Sequence, residues 1–466
     1  MSFTPRQALK QTLYCSIYAL ATVSGTSHAA GFGIIEQSVT GLGNAFAGGS
    51  SGATDASTIY FNPAGMTRLD GAQAIFAVHV IDPNAKFKDQ GSTHFTTASL
   101  DVNNENGGDA GPVALVPNFY YSRPINQQWT FGVGIGAPFG LVTEYDDGWV
   151  GRYHALTSEL KTVNINPSLA YKVDDKLSLG FGLNAQYIEA RLTNAVDYGG
   201  LCFAGENITM TLPAGTCTAL NLSPQADDGE AEVKGDDWSF GYNLGMMWQA
   251  TPQTRIGIAY RSRIKHTLKG DADFDTPNNP ATGNATAIAA GRGLVDTDVK
   301  AKVTLPDSLS VGFNHEIDSK WTVNGDLTWT NWSEFEELRI EFDSGAADSV
   351  TTTKWQDSNR YSLGVSYVPN KQWTWRGGIA FDESANRNSE NQTPRVPDQD
   401  RTWLTAGFTY KSSDKLSFDV GYAHLFVKDA KINKSLADTE NTLRGALVGE
   451  YEIDIDILSV QARWAF

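Results

Sequence analysis

Groups able to do covalent chemistry are thinly spread along this chain. His79, His94, His154, His266, His315 and His424 lie far apart in sequence, and no Gly-x-Ser-x-Gly element marks a nucleophile. A hydrolase would need a nucleophile, a base and an orienting group, so an enzyme is not the reading these residues favour. No metal site or cofactor motif is evident either. Two cysteines, Cys202 and Cys217, stand fifteen positions apart, and no His or third Cys nearby completes a metal set. In an exported chain such a pair closes a loop as a disulfide. The densest charged motif is Asp398, Asp400 and Arg401. Carboxylates and a guanidinium this close pair with one another, as a luminal polar network or as the polar start of a strand. Lys354 and Arg191 are further basic candidates for a carboxylate ligand, against the simpler reading of solvated charge.

The elements that would hold these groups are strands. Leu177, Leu179, Phe181, Leu183, Ala185 and Tyr187 alternate with Ser178, Gly180, Gly182, Asn184 and Gln186, giving one oily and one small or polar face. Trp321 to Trp329 and Leu416 to Tyr422 repeat the pattern. Trp321 and Trp329 point the same way roughly 26 Å apart, about the separation of two interfacial aromatic girdles. Short polar turns occur near Pro124–Asn126, Asp174–Lys176, Pro252–Thr254, Asp318–Lys320, Pro369–Lys371 and Ser412–Asp414. Long polar segments alternate with them at 88–112, 141–157, 200–233, 272–297, 343–353, 385–397 and 434–446. That regularity predicts an all-β fold, a transmembrane antiparallel β-barrel of about fourteen strands with short periplasmic turns and long outer loops. Closure follows because an open edge cannot face lipid. A β-sandwich or propeller would not predict it.

The ends agree with this. Arg6 and Lys10 precede the apolar run Leu13 to Val23, and Ser27-His28-Ala29 precedes Ala30, so 1–29 reads as a secretory signal peptide. Residues 30–71 do not alternate; Gly31, Gly33, Gly41, Gly43, Gly48, Gly49 and Gly52 make them pliable, and a small hatch inside the barrel lumen is the natural place for them. The barrel would then occupy 72–466 and end on the aromatic Phe466, the kind of last strand that barrel-assembly machinery handles. In the third strand Gly132, Gly134, Gly136, Ala137 and Pro138 predict a bend or bulge, because Pro138 cannot donate to a ladder. Acidity, with 53 Asp+Glu against 36 Lys+Arg and a net charge of −17, excludes nucleic acid as a natural partner.

Several stretches together resemble the FadL family: Ala30-Gly31-Phe32, Glu36, Gly41-Leu42-Gly43, Asp55-Ala56, Asn62-Pro63-Ala64, Gly140 to Tyr145, Tyr260-Arg261-Ser262, Leu305-Pro306-Asp307, Gly378 to Asp382 and Pro397 to Arg401. The resemblance runs over essentially the whole mature chain. It implies a fourteen-stranded outer-membrane barrel with an N-terminal hatch, an outer loop groove and an inner pocket. It makes Phe32 the ligand-contacting gate. It associates Asn62, Pro63 and Ala64 with an inward kink at Gly134, Gly136, Ala137 and Pro138 that opens the wall sideways to outer-membrane lipid. The expected cargo is long-chain fatty acids or other hydrophobic small molecules, with aromatic hydrocarbons as the alternative and a general diffusion porin as the remoter one.

Overall fold

A computed structural model of the protein describes residues 31–96, 106–226, 228–277 and 282–466, with side chains of 282–284 left aside. The expected leader over 1–29 lies outside the described residues. Among those described, the strands make fourteen consecutive antiparallel crossings. They are β1 (Gln73–Asp89), β2 (Ala114–Pro124), β3 (Trp129–Gly136 and Gly140–Glu144), β4 (Thr157–Lys172), β5 (Leu177–Asp197) and β6 (Asp228–Gln249). They continue as β7 (Thr254–Arg261 and Ile264–Asp275), β8 (Thr297–Leu305 and Ser308–Glu316), β9 (Trp321–Thr330 and Glu337–Phe342) and β10 (Ser349–Thr352 and Ser358–Tyr367). The last four are β11 (Trp373–Asp382), β12 (Arg401–Lys411), β13 (Leu416–Val427 and Ala430–Lys434) and β14 (Leu447–Ala465). Pairing of β1 with β14, from Gln73↔Ala465 to Asp89↔Gly449, closes the ring and leaves no outer edge.

The alternation resolves with its oily face outward. Leu179, Phe181 and Leu183 are exposed, while Ser178, Asn184 and Gln186 are buried inside. This inversion of the soluble pattern is what lipid outside and packed polar groups inside require. Trp321, Trp375, Trp464 and Phe418 stand on the same outer surface.

All six expected turns join neighbouring strands. The long loops are shorter than their polar composition suggests, because strands continue into them. Leu141–Glu144 belongs to β3, β6 begins at Asp228, and β7 runs to Asp275. Backbone pairing persists beyond the apolar belt because a ladder needs hydrogen-bond partners, not oily side chains. Cys202 and Cys217 are joined across the loop between β5 and β6, linking two helices, Tyr198–Asn207 and Thr216–Leu220.

Residues 31–69 run within the ring. Ser38 caps the short helix Val39–Gly43 by accepting from Gly41 N, and Asn62 caps the 3-10 turn Pro63–Arg68 by accepting from Ala64 N. Asn62 Nδ2 also donates to Ser50 O (2.6 Å) and Met246 O (3.0 Å), which ties the segment to β6. On the far side of the ring, a Cβ on Gly378 of β11 would lie 2.3 Å from the Asn44 carbonyl carbon, so only glycine lets the backbones approach there.

Candidate functional site

The third crossing is broken as its glycines and proline suggest. Gly136 opposes Asn164 and Gly140 opposes Lys161, so three residues of β3 face two of β4. One residue is in excess, and the break is a bulge at Ala137-Pro138-Phe139. Below it the exposed residues are Trp129, Phe131 and Ile135; above it Glu144 is exposed and Thr143 buried, so the two halves face outward on opposite parity.

The bulge parts β3 from β2. Their ladder runs only as far as Phe119↔Ile135, and the next contact outward is Glu144 N donating to Ala110 O at 3.2 Å. Between these points, Ala114–Asn118 of β2 has a ladder to β1 alone. Pro117, which has no N–H to leave unpaired, sits on this stretch.

The inner segment supplies what the bulged strand lost. Ile34 N donates to Pro138 O (2.9 Å), Gly140 N to Phe32 O (3.1 Å), and Gln37 Nε2 to Ala137 O (2.8 Å). On the other side of the gap, Asn118 Nδ2 donates to Glu36 O at 2.9 Å. Residues 32–37 therefore form the inner sill of the opening. Asn62, Pro63 and Ala64 do not stand at the bulge itself: they pack on β5 and β6, and the following turn reaches β3 below it, where Met66 and Ile59 lie against Gly132.

One cavity of about 860 Å³ runs along this sill. Its lining includes inward side chains such as Phe32, Ile81 and Trp403, and also Leu115, Ile135 and Val163, which are 68%, 39% and 45% exposed on the outer face. The same space thus touches the interior and the lipid-facing surface through the gap between β2 and β3.

At the inner end Phe32 sits in an aromatic box. Ring centroids lie 5.0 Å from Trp332, 5.6 Å from Phe335, 5.7 Å from Trp355 and 6.1 Å from Phe139. The backbone before it is clamped: Gly31 N donates to Asp398 Oδ2 (3.0 Å), and Arg401 donates both to Gly31 O (3.2 Å) and to Asp398 Oδ1 (2.9 Å). Asp400 is linked to them through Ser384, whose N–H donates to Asp400 and whose Oγ donates to Asp398, and Asp400 also accepts from Lys428. Asp398 and Arg401 thus hold the chain's own inner end, and Asp400 stands behind them across Ser384.

Behind Phe32 lies a second, almost wholly apolar space of about 90 Å³, lined by Leu160, Leu268, Val303 and Ile340 among others. Arg395 reaches its rim and donates to neutral oxygens: Thr157 O, Ser158 Oγ and Thr193 O. It is half-buried by surface yet set deep enough among protein atoms that desolvation, with Arg444 adding to it and Tyr145 opposing, pulls it down to about 9. Arg191 instead pairs with Glu232, and Lys354 is exposed and lines neither space. Sequence reading missed Arg395, Gln37 and Asn118, for they belong to no charged motif.

Comparison with known proteins agrees with this architecture. Residues 20–466 match the family model described as outer membrane protein transport protein (OMPP1/FadL/TodX). The chain is 31% identical to the long-chain fatty acid transport protein of Escherichia coli K12 over 437 residues, covering 92% of this chain and 95% of that one. It superposes on the crystal structure of a Pseudomonas aeruginosa FadL homologue with a TM-score of 0.84 at 25% identity, covering 94% of this chain and all of the other. The Pseudomonas putida toluene transporter TodX shares the fold, with a TM-score of 0.64 at 18% identity over 89% of this chain and 94% of that one. The chain is an outer-membrane β-barrel and belongs to the FadL/TodX family of outer-membrane transport proteins.

Proposed function

We propose that this protein passively carries long-chain fatty acids, or hydrophobic small molecules like them, from the outer loops to an inner pocket and then sideways into the bilayer. The observation that carries this reading is the single cavity lined by both interior and lipid-facing residues at the β2–β3 gap. Each methylene that leaves water gains about 0.8 kcal/mol, so an acyl chain needs no energy source to move from an apolar groove to lipid. The inner segment 30–71 is the hatch, Phe32 its gate, and displacement of the gate by cargo a population shift rather than a driven step. Asn62, Pro63 and Ala64 anchor the hatch so that residues 32–37 stay at the sill. No catalytic step or cofactor enters. Outer-membrane lipid receives the cargo, and barrel-assembly machinery receives the nascent strand ending at Phe466.

A carboxylate cargo is favoured by Arg395, a guanidinium with neutral oxygen partners at the rim of an apolar space. Aromatic hydrocarbons are the second reading, favoured by the box of Phe139, Trp332, Phe335 and Trp355, which holds one six-membered ring. Binding of a labelled long-chain fatty acid and of toluene to the parent and to Arg395→Met separates the two. A selective loss of fatty-acid binding of about tenfold or more is expected; equal binding of both ligands by both proteins would sink the carboxylate reading.

A further inference from the structure

On the outer face of β6, β7 and β8, the apolar belt ends abruptly in lysines. Trp238 and Phe240 of β6 are exposed, the rings of Tyr242 and Tyr260 lie tilted with centroids 6.0 Å apart, and Leu309, Val311 and Phe313 cover β8. Level with Trp238 and Phe240 on the neighbouring strands, Lys265 of β7 and Lys302 of β8 are exposed, and further toward the loops so is Lys269, with Lys300 half-exposed beside it. Their strand neighbours His266, Leu268, Val299 and Val303 are buried inside, so the four lysines share the outer surface.

The register concentrates this charge. Lys269 stands directly opposite Lys300, and Lys302 opposite Thr267, diagonally between Lys265 and Lys269. Like charges directly opposite on neighbouring strands are destabilising. Among the described residues none of the four forms an ion pair. Carboxylates share the outer rung: Asp236 stands directly opposite Lys269 and Glu341 directly opposite Lys300, while Lys265 and Lys302, nearest the belt, face only threonines across the β7–β8 ladder.

We propose that this patch binds the phosphate groups of a phosphorylated glycolipid in the outer leaflet of the outer membrane. Its acyl chains lie on the apolar belt below and its phosphates meet the lysines at the rung where the belt ends. The charge complementarity and the depth on the barrel fit that occupant: Lys265 and Lys302, which face threonines across the β7–β8 ladder, are the ammonium groups an anionic headgroup meets first above the belt.

The test uses the full chain in detergent micelles, titrated with lipid A, with the same lipid stripped of its phosphates, and with inorganic phosphate alone. Expected results are tight binding of lipid A, at least tenfold weaker binding of the stripped lipid, and no displacement by inorganic phosphate at lipid concentrations. Replacing the four lysines with Gln should cost at least tenfold in lipid A affinity, and replacing them with Arg should retain it. If the fourfold variant does not assemble, Lys265→Gln with Lys302→Gln gives the same comparison, and the stripped-lipid arm needs no variant. Equal binding of both lipids, undiminished binding by the Gln variants, or equal occupancy by free phosphate would overturn the proposal.

Discussion

At the scale of residues, the inner end of the chain rests on one acid, one guanidinium and one ring. Asp398 is buried and accepts from Gly31 N and from Arg401. A hydrogen bond to a charged group is worth about 1.5–3 kcal/mol, so Asp398→Asn should raise hydrogen exchange over residues 31–37 by about tenfold or more. Unchanged protection there would show that the aromatic box alone holds the end. Glu36 carries a pH signature. Burial lifts its carboxyl to about 7, against lowering by its own backbone N–H, Arg401 and Arg360, and with Asp382 adding to the rise. Because this pKa is above the ordinary 4.5, the held segment binds the proton more tightly than a released one. Its stability should therefore be full below about 4.5, fall as pH rises toward 7, and level off above, a loss of up to about 3 kcal/mol. Exchange rates corrected for intrinsic pH dependence should follow that course, and Glu36→Gln should flatten it. The charged triplet near the last third of the sequence was legible as a polar network. That its object is the backbone of Gly31 was not, since the contact spans more than three hundred residues and the donor is main chain.

At the scale of elements, the alternation and the short turns made strands and their order plain, because lipid on one side and packed polar groups on the other impose period two over long runs. Pro138 likewise announced a break in β3. What repairs the break was hidden: Gln37 and Asn118 are unremarkable amides in sequence, and only the closed ring brings Gln37 to Ala137 and Asn118 to Glu36. Strand ends were misjudged where polar residues continue the ladder past the membrane, as in β6 and β7. Two element-level outcomes follow. Reducing the Cys202–Cys217 bond should release a loop constraint of about 3 kcal/mol and loosen the helices it links, while heat-modifiable migration of the barrel stays unchanged. Loss of that migration on reduction alone would mean the loop supports the wall. Deleting Phe466, whose N–H donates to Ala72 O at 2.9 Å and whose side chain is exposed, should lower the assembled fraction several-fold in membranes. Full assembly of the truncated chain would remove the aromatic from the assembly signal.

At the scale of the whole molecule, a ring of fourteen crossings has no edge except the one it makes for itself between β2 and β3. The account of transport turns on that gap, and the register supplies its most direct test. The bulge holds one surplus residue, so deleting Ala137 and replacing Pro138 with Val restores a continuous count between Gly136↔Asn164 and Gly140↔Lys161. The repaired strand can then extend its pairing with β2, which hydrogen exchange at the Leu115 amide, on the same side of β2 as Pro117, would register as new protection. Uptake of a labelled long-chain fatty acid by cells carrying this variant is the deciding measurement. With assembly and external binding intact, uptake should fall by at least tenfold. Undiminished uptake through a wall shown to be closed would contradict lateral release and send the cargo straight down the barrel.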